Sequence, residues 1–475
     1  MPKRNNRMML LGMLLSLAPF SFAQGQEDTR QQSREIFKQL IEINTTDSVG
    51  NVTTAAEALA KRLHDAGFSE QDVIVAGPND RKKNLVARLH GTGQQKPILF
   101  LAHLDVVEAR REDWTTDPFQ FVEKDGYFYG RGTVDIKDGA AILVTNFIRM
   151  KKTGLAPNRD LILALTADEE GGNSNGVEWL LKHHRDWIEA EYCVNLDGGD
   201  FMSDKGKKIY GAVQASEKVY VDFQLEVKNP GGHSSRPTRD NAIYHLSEGL
   251  TRLSKFNFPV ELNEITRSML EKSAAIEGGP LAKDMKAAAN PSPDVAVLVR
   301  LSENEFYNAI LRTTCVATML SGGHAPNALP QTAHANVNCR ILPGEDPNKI
   351  KDTLIKVVDD PQIRVSFVEQ RDADGNLVPP ELVPPSPLRP DLMKAVESAS
   401  ASIWGQLPIM PVMDTGASDG RFLRMAGIPT YGIAGVFLDI DNRRAHGQDE
   451  RVRVQDFYDG LEFNYKLMQN LAPEK

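Results

Sequence analysis

The chain has 475 residues, enough for two or three domains with a sizeable buried core. It carries 55 Lys and Arg against 64 Asp and Glu, a formal charge of −9, and that acidic balance argues against nucleic acid as a partner. Three cysteines do not make a disulfide scaffold, and past the N-terminal segment no stretch is apolar enough to span a bilayer.

Residues 1–23 combine Lys3, Arg4 and Arg7 with the apolar run Met8–Leu17 and the small-x-small end Ser21-Phe22-Ala23. This pattern predicts a cleaved secretory signal, hence a secreted or periplasmic protein with no stable membrane span after cleavage. Gln24 to Gln32 is polar and is expected to be loose. Ser33–Ile43 and Thr53–Ala66 have helical apolar spacing, and Gly67 stands as a C-terminal stop. Strands are expected at Val73–Val75, Leu85–Leu89 and Ile98–Leu101, the last ending in His103-Leu104-Asp105. Residues two apart on an extended chain share a face, so His103 and Asp105 point the same way. That suits a ligand histidine with a supporting carboxylate, or equally a buried structural pair.

Gly130-Arg131-Gly132-Thr133-Val134-Asp135 precedes a helix expected from Lys137 to Lys151, but it has neither the dinucleotide nor the phosphate-loop spacing. Asp135 can cap that helix or ligate a metal. The apolar run Leu161–Ala167 then ends in Asp168-Glu169-Glu170-Gly171-Gly172. Three adjacent acids after a buried strand are costly to place unless a positive charge sits there, although a solvated turn before a helix at Ser174–His183 is the plainer alternative. Tyr192–Leu196 repeats the pattern, ending in Asp197-Gly198-Gly199. Three strand ends therefore finish in side chains able to hold a metal, and the crevice beyond the carboxyl ends of strands is where α/β sites assemble. His183 and His184 read as C-terminal capping residues.

From Lys218 the texture changes, with Val219, Val221, Phe223, Leu225 and Val227 alternating with polar neighbours as in a sheet with one wet face. A loop through His233 leads to a helix expected at Asn241–Phe256, and residues 259–309 form an irregular, partly helical insertion. Thr313–Leu320 and Ala333–Leu342 read as paired strands around His324 and Asn327, followed by a helix at Pro347–Val358 and a strand at Ile363–Val368. The order βαββαβ suits a four-stranded sheet with helices on one face, inserted into the first domain. Cys315 and Cys339 fall on neighbouring strands and could pair, whereas Cys193 reads as a small core residue. Pro-rich Val378–Pro390 is the expected linker back. A helix at Leu392–Ile403, the loop Gly416-Ala417-Ser418-Asp419-Gly420, a strand at Pro429–Ile433, Ala445-His446-Gly447-Gln448-Asp449-Glu450 and a helix at Val454–Leu471 close the chain.

Leu101 to Val107, Gly130 to Lys137, the Asp168 turn, Leu196 to Gly199, Gly232 to Ser235, Pro326-Asn327 and Ala445 to Glu450 together resemble the M20 metallohydrolases. Leu311 to Thr314 and Asn338 to Gly344 are most similar to the branch with carboxypeptidase S and secreted N-acyl amino-acid hydrolases. The resemblance implies an α/β fold: a zinc-peptidase-like catalytic domain with helices flanking a mixed sheet (residues 24–216 and 378–475). An inserted α+β, ferredoxin-like lid or dimerisation domain (217–377) goes with it. It further implies two zinc ions, with cobalt or manganese as substitutes, held by His103, Asp135, Glu170, Asp197 and His446, with Asp135 bridging. Asp105 would orient His103, and Glu169 would be the general base. His233 would reach toward the oxyanion from the inserted domain, Asn327 and Arg340 would fix a small peptide or N-acyl amino acid, with Arg340 gripping its free carboxylate, and Gly416 and Ser418 would contact that carboxylate; a homodimer through the inserted domain is a further implication. Asp138, where many relatives have glycine, is a departure that bears on the loop and not on the metal set.

Two rivals stand beside this reading. Gly416 to Gly420 fits Gly-x-Ser-x-Gly, so Ser418 with Asp439 or Asp441 and His446 would give a serine-hydrolase triad. A catalytically inactive metal-binding relative is the other, and it predicts a damaged ligand set or base.

Overall fold

The computed structural model describes residues 18–154, 156–371, 377–378 and 382–474. Most of the expected signal segment and residues 379–381 of the expected linker lie outside them. The molecule is α/β, built on a ten-stranded mixed sheet with a separate four-stranded sheet inserted between its halves.

Four strands at the middle of the large sheet run parallel, in the order Leu161–Thr166, Ile98–His103, Tyr192–Asn195, Thr430–Gly432. Each is buried along its whole length, which is why their sequences are unbroken apolar runs instead of alternating ones. Successive side chains enter different cores. Ile98, Phe100 and Ala102 pack with the helices Lys137–Thr153 and Val454–Leu471. Leu99 and Leu101 pack with Val177 and Leu180 of the helix Gly176–His183 and with Leu423 of Gly420–Met425. Outside this centre, Asn84–Leu89 and Val73–Ala76 continue the sheet antiparallel on one side, and Lys207–Glu217 with its partners Ile409–Asp414 and Phe201–Asp204 on the other.

The inserted sheet has the order Thr314–Gly322, Thr332–Ile341, Val219–Lys228, Ile363–Phe367, antiparallel throughout. Its alternating apolar face, Val219 to Val227 and Ala333 to Ile341, packs under the helices Ala242–Leu253 and Pro347–Val358. The βαββαβ order holds. Cys315 and Cys339 stand opposite each other in register and are disulfide-bonded, with Cα atoms 4.1 Å apart.

Two local expectations need correction, and a third holds with an addition. Gln24 to Gln32 is not loose but part of a helix, Ala18–Glu42, whose far end buries Ile36, Phe37, Leu40 and Ile41. The insertion is regular: the helices Glu264–Glu277, Gly279–Ala288, Val295–Ser302 and Glu305–Leu311 send Leu270, Met285, Leu301 and Ile310 into the core of the large sheet. His184 does cap its helix, through its N–H to Leu180 O at 2.8 Å, but its ring also stacks on Trp187 with centroids 3.7 Å apart.

On the inserted domain His245 links its helix to the turn after Pro347–Val358, with Nδ1 2.6 Å from Asp360 Oδ2 and Nε2 3.2 Å from Asp240 Oδ1. The hydrogen bond to Asp360 raises the imidazole above its ordinary value, and burial opposes it. This stabilisation is fully present below the unfolded histidine value of about 6.5 and fades as pH rises through the folded one. Thermal unfolding should therefore show His245→Gln less stable than the parent by up to about 1 kcal/mol near pH 6, with the gap narrowing as pH rises.

Candidate metal centre

Because Leu161–Thr166, Ile98–His103 and Tyr192–Asn195 are adjacent and parallel, their carboxyl ends open on one side of the sheet. His103 is the last residue of its strand, Glu169 and Glu170 lie in the turn after theirs, and Asp197 follows the third. Gly199 lets that third turn close: at φ 67° its backbone lies so near the neighbouring strand that a Cβ would sit 2.0 Å from Gly432 O.

Asp135 and His446 reach the same place from two loops locked to each other. The buried Glu450 carboxylate accepts the N–H of Gly132 at 3.0 Å and of Val134 at 2.8 Å, and pairs with Arg131 Nη1 at 2.7 Å. Burial pushes Glu450 up to about 7. It stands four positions after His446, so one carboxylate fixes both loops.

The result is a compact set of donors. His103 Nε2 lies 3.2 Å from Asp135 Oδ1, and His446 Nε2 lies 3.0 Å from Asp135 Oδ2 and 2.9 Å from Glu170 Oε1. Two groups of cation-competent atoms, His103/Asp135/Asp197 and Asp135/Glu170/His446, each fall within 4.8 Å and share Asp135. Asp105 supports both, its backbone oxygen 3.0 Å from His103 Nδ1 and its carboxylate accepting the N–H of Glu169 at 3.1 Å and of Glu170 at 3.0 Å.

Burial drives Glu169 and Asp197 well above the ordinary carboxylate range, and neighbouring acids add to it. Burial would lower His103, but its hydrogen bond to Asp135 and the surrounding acids outweigh that and hold it well above the ordinary imidazole value. Hydrogen bonds to Asp135 and Glu170 push His446 up to about 10. Hard carboxylates with two imidazoles, two oxygens of one aspartate facing different histidines, fit a pair of divalent ions.

Asp419 is a buried acid that sequence reading passed over. It accepts Asn175 Nδ2 at 2.6 Å and Thr166 Oγ1 at 3.1 Å, behind the Glu169 turn, and burial raises it to about 6. The serine-hydrolase triad is not assembled. Ser418 Oγ donates to Glu217 Oε2 at 2.7 Å, Glu217 pairs with Arg424 Nη2 at 2.5 Å, and His446 Nε2 faces Asp135 and Glu170 instead of a hydroxyl. Gly416 is exposed and gives its N–H to Asp414 Oδ1 at 3.1 Å.

The remaining residues sit on the inserted domain. His233 and Asn327 are exposed neighbours on a two-stranded piece, with Ser234 N donating to Asn327 O at 3.0 Å and Ser235 N to His233 Nδ1 at 3.1 Å. Arg340 stands on the wet face of the sheet, over the Tyr220 ring at 4.7 Å.

This fold, with a cation-competent crevice at the strand ends and a second sheet inserted, defines an amide- or peptide-hydrolysing class. Residues 99–470 match the model for peptidase family M20/M25/M40, and the chain belongs to that family. It is 26% identical over 470 residues to human N-fatty-acyl-amino acid synthase/hydrolase PM20D1, covering 94% of this chain and 89% of that protein. Carboxypeptidase S of Saccharomyces cerevisiae is 24% identical over 417 residues, 79% of this chain and 72% of that one. Among solved structures, the M20 family metallo-carboxypeptidase Sso-CP2 from Sulfolobus solfataricus superposes with a TM-score of 0.67 at 15% identity, over 92% of this chain and 98% of that one. The resemblance stated from motifs is thus borne out, and the chain is an amide or peptide hydrolase.

Proposed function

We propose that the chain is an exported di-zinc hydrolase that cleaves the amide bond of a peptide or N-acyl amino acid next to a free carboxylate. The observation that carries this reading is the sharing of Asp135 between two donor groups with Glu169 in the adjoining turn. His103 and Asp197 would hold one ion, Glu170 and His446 the other, and Asp135 both. Such a pair, when bound, supplies electrophilic activation of the scissile carbonyl and acidification of a water.

The protein's own groups do the rest. Glu169, whose surroundings disfavour its charged form, is suited to take a proton from water and return it to the leaving nitrogen. Asp105 keeps His103 and the Glu169 turn in place. Arg340 is proposed to grip the substrate carboxylate with its planar fork, and His233 and Asn327 to border the same substrate from the inserted domain. The Gly416 loop would meet that carboxylate too, Ser418 only by giving up Glu217. The disulfide between Cys315 and Cys339 supports export, since such bonds persist in oxidising compartments. The unpaired edge Thr314–Gly322, with Val316, Met319 and Leu320 exposed, supports a homodimer through the inserted domain.

A panel of N-acyl amino acids and free-carboxyl peptides, each beside its amidated counterpart, tests the substrate. Amidation should lower kcat/KM by about tenfold or more, the loss expected when a hydrogen bond to a charged group is removed. Equal rates on the two series would overturn the assignment of Arg340.

A further inference from the structure

Asp168 opens the turn that carries Glu169 and Glu170, in the left-handed region at φ 57°. A non-glycine residue there needs its surroundings to hold it. Its carboxylate accepts the N–H of Ser174 at 3.2 Å, so the loop from Asp168 to Ser174 is closed by its own first side chain. Gly172 is folded beneath it, where a Cβ would meet Asp168 Oδ2 at 2.4 Å. Asn175, which caps the following helix, donates to Asp168 O at 3.1 Å.

The cation on this carboxylate comes from far away in sequence. Lys82 Nζ forms a buried ion pair with Asp168 Oδ1, both side chains under a tenth exposed, and also touches Asp47 Oδ1 at 2.8 Å. The segment bearing Lys82 is itself fastened. Arg81 donates to Gly50 O and to Asp47 O, Lys83 N donates to Thr53 Oγ1 at 3.0 Å, and Asn84 then enters the sheet. Asn84 Oδ1 in turn accepts the N–H of Ala167 at 3.0 Å, one residue before Asp168.

We infer that Lys82 is a positioning residue for the proposed base. Through Asp168 it sets the turn that aims Glu169 and Glu170, acting at a distance from substrate and cation alike. The inference rests on the di-metal reading of the centre. A buried charge pair is poor evidence of stability for its own sake, since desolvation offsets much of the attraction. Its value here is geometric: Asp168 is neutralised in one orientation, and two functional carboxylates hang from the same turn.

Lys82→Met removes the cation and keeps the stem. It should lower kcat by about 10- to 100-fold with KM within about twofold, and weaken zinc affinity, read by competition with a chromophoric chelator, by about tenfold or more. Asp47→Asn, which removes only the charge of the exposed partner of Lys82, should leave both readouts at parent values. If Lys82→Met does not fold, the charge-balanced pair Lys82→Met/Asp168→Asn should fold and still lose kcat at least tenfold, because the turn has lost its anchor. A Lys82→Met, or failing that a double variant, with parental kcat per folded molecule and parental zinc affinity, whatever its melting temperature, would overturn the inference while leaving the di-metal reading intact. A parent protein that binds no zinc would instead overturn both.

Discussion

Glu169→Gln is expected to cut turnover by about 10²- to 10⁴-fold while leaving bound divalent metal unchanged, the span usual for loss of a general base. The substitution is nearly isosteric, and the backbone N–H of residue 169 still reaches Asp105, so the turn keeps its shape. Glu169 also belongs to neither of the two cation-competent groups. Activity and metal content should therefore separate: elemental analysis reads like the parent, and the rate does not. If both fell together, Glu169 would be a ligand and the proposed division of labour between it and Glu170 would be wrong.

Asp135→Ala should have the largest effect of any single change, because one carboxylate serves both groups. Its two oxygens face His103 and His446 separately. Without it each group keeps two members, and the imidazoles lose the partner that orders them. Metal content is expected to fall from two equivalents to fewer than one, and activity by more than about 10³-fold, below what excess zinc restores. Asp197→Ala is the informative comparison, since it touches one group alone. Two equivalents retained in Asp135→Ala would show that the ions are held elsewhere.

How far the sequence could be read depended on what kind of burial each residue undergoes. The central strands announce themselves because parallel strands covered on both faces are continuous apolar runs, and an acid or histidine at the end of such a run stands out. The long strand Lys207–Glu217 did not, since it passes from exposed lysines to full burial and never alternates cleanly. Ile409–Asp414, short and interrupted by Pro411, was missed likewise. Within the centre, residues that point at the crevice were legible from motifs, whereas those that hold them were not. Lys82, Asp419 and Glu450 are ordinary charges in sequence, and charges are usually at the surface. Only their burial against other elements reveals their work. Ser418 shows the converse: a nucleophile-like motif whose hydroxyl is committed to Glu217.

The loop bearing His446 lies within the last thirty residues, and the strand after it, Arg451–Arg453, is laid against Tyr127–Tyr129 near the start of the fold. Fraying of that short pairing would free His446 while the strands that lead to His103 and Asp197 still hold together, so partial unfolding should open the crevice on its exposed side first.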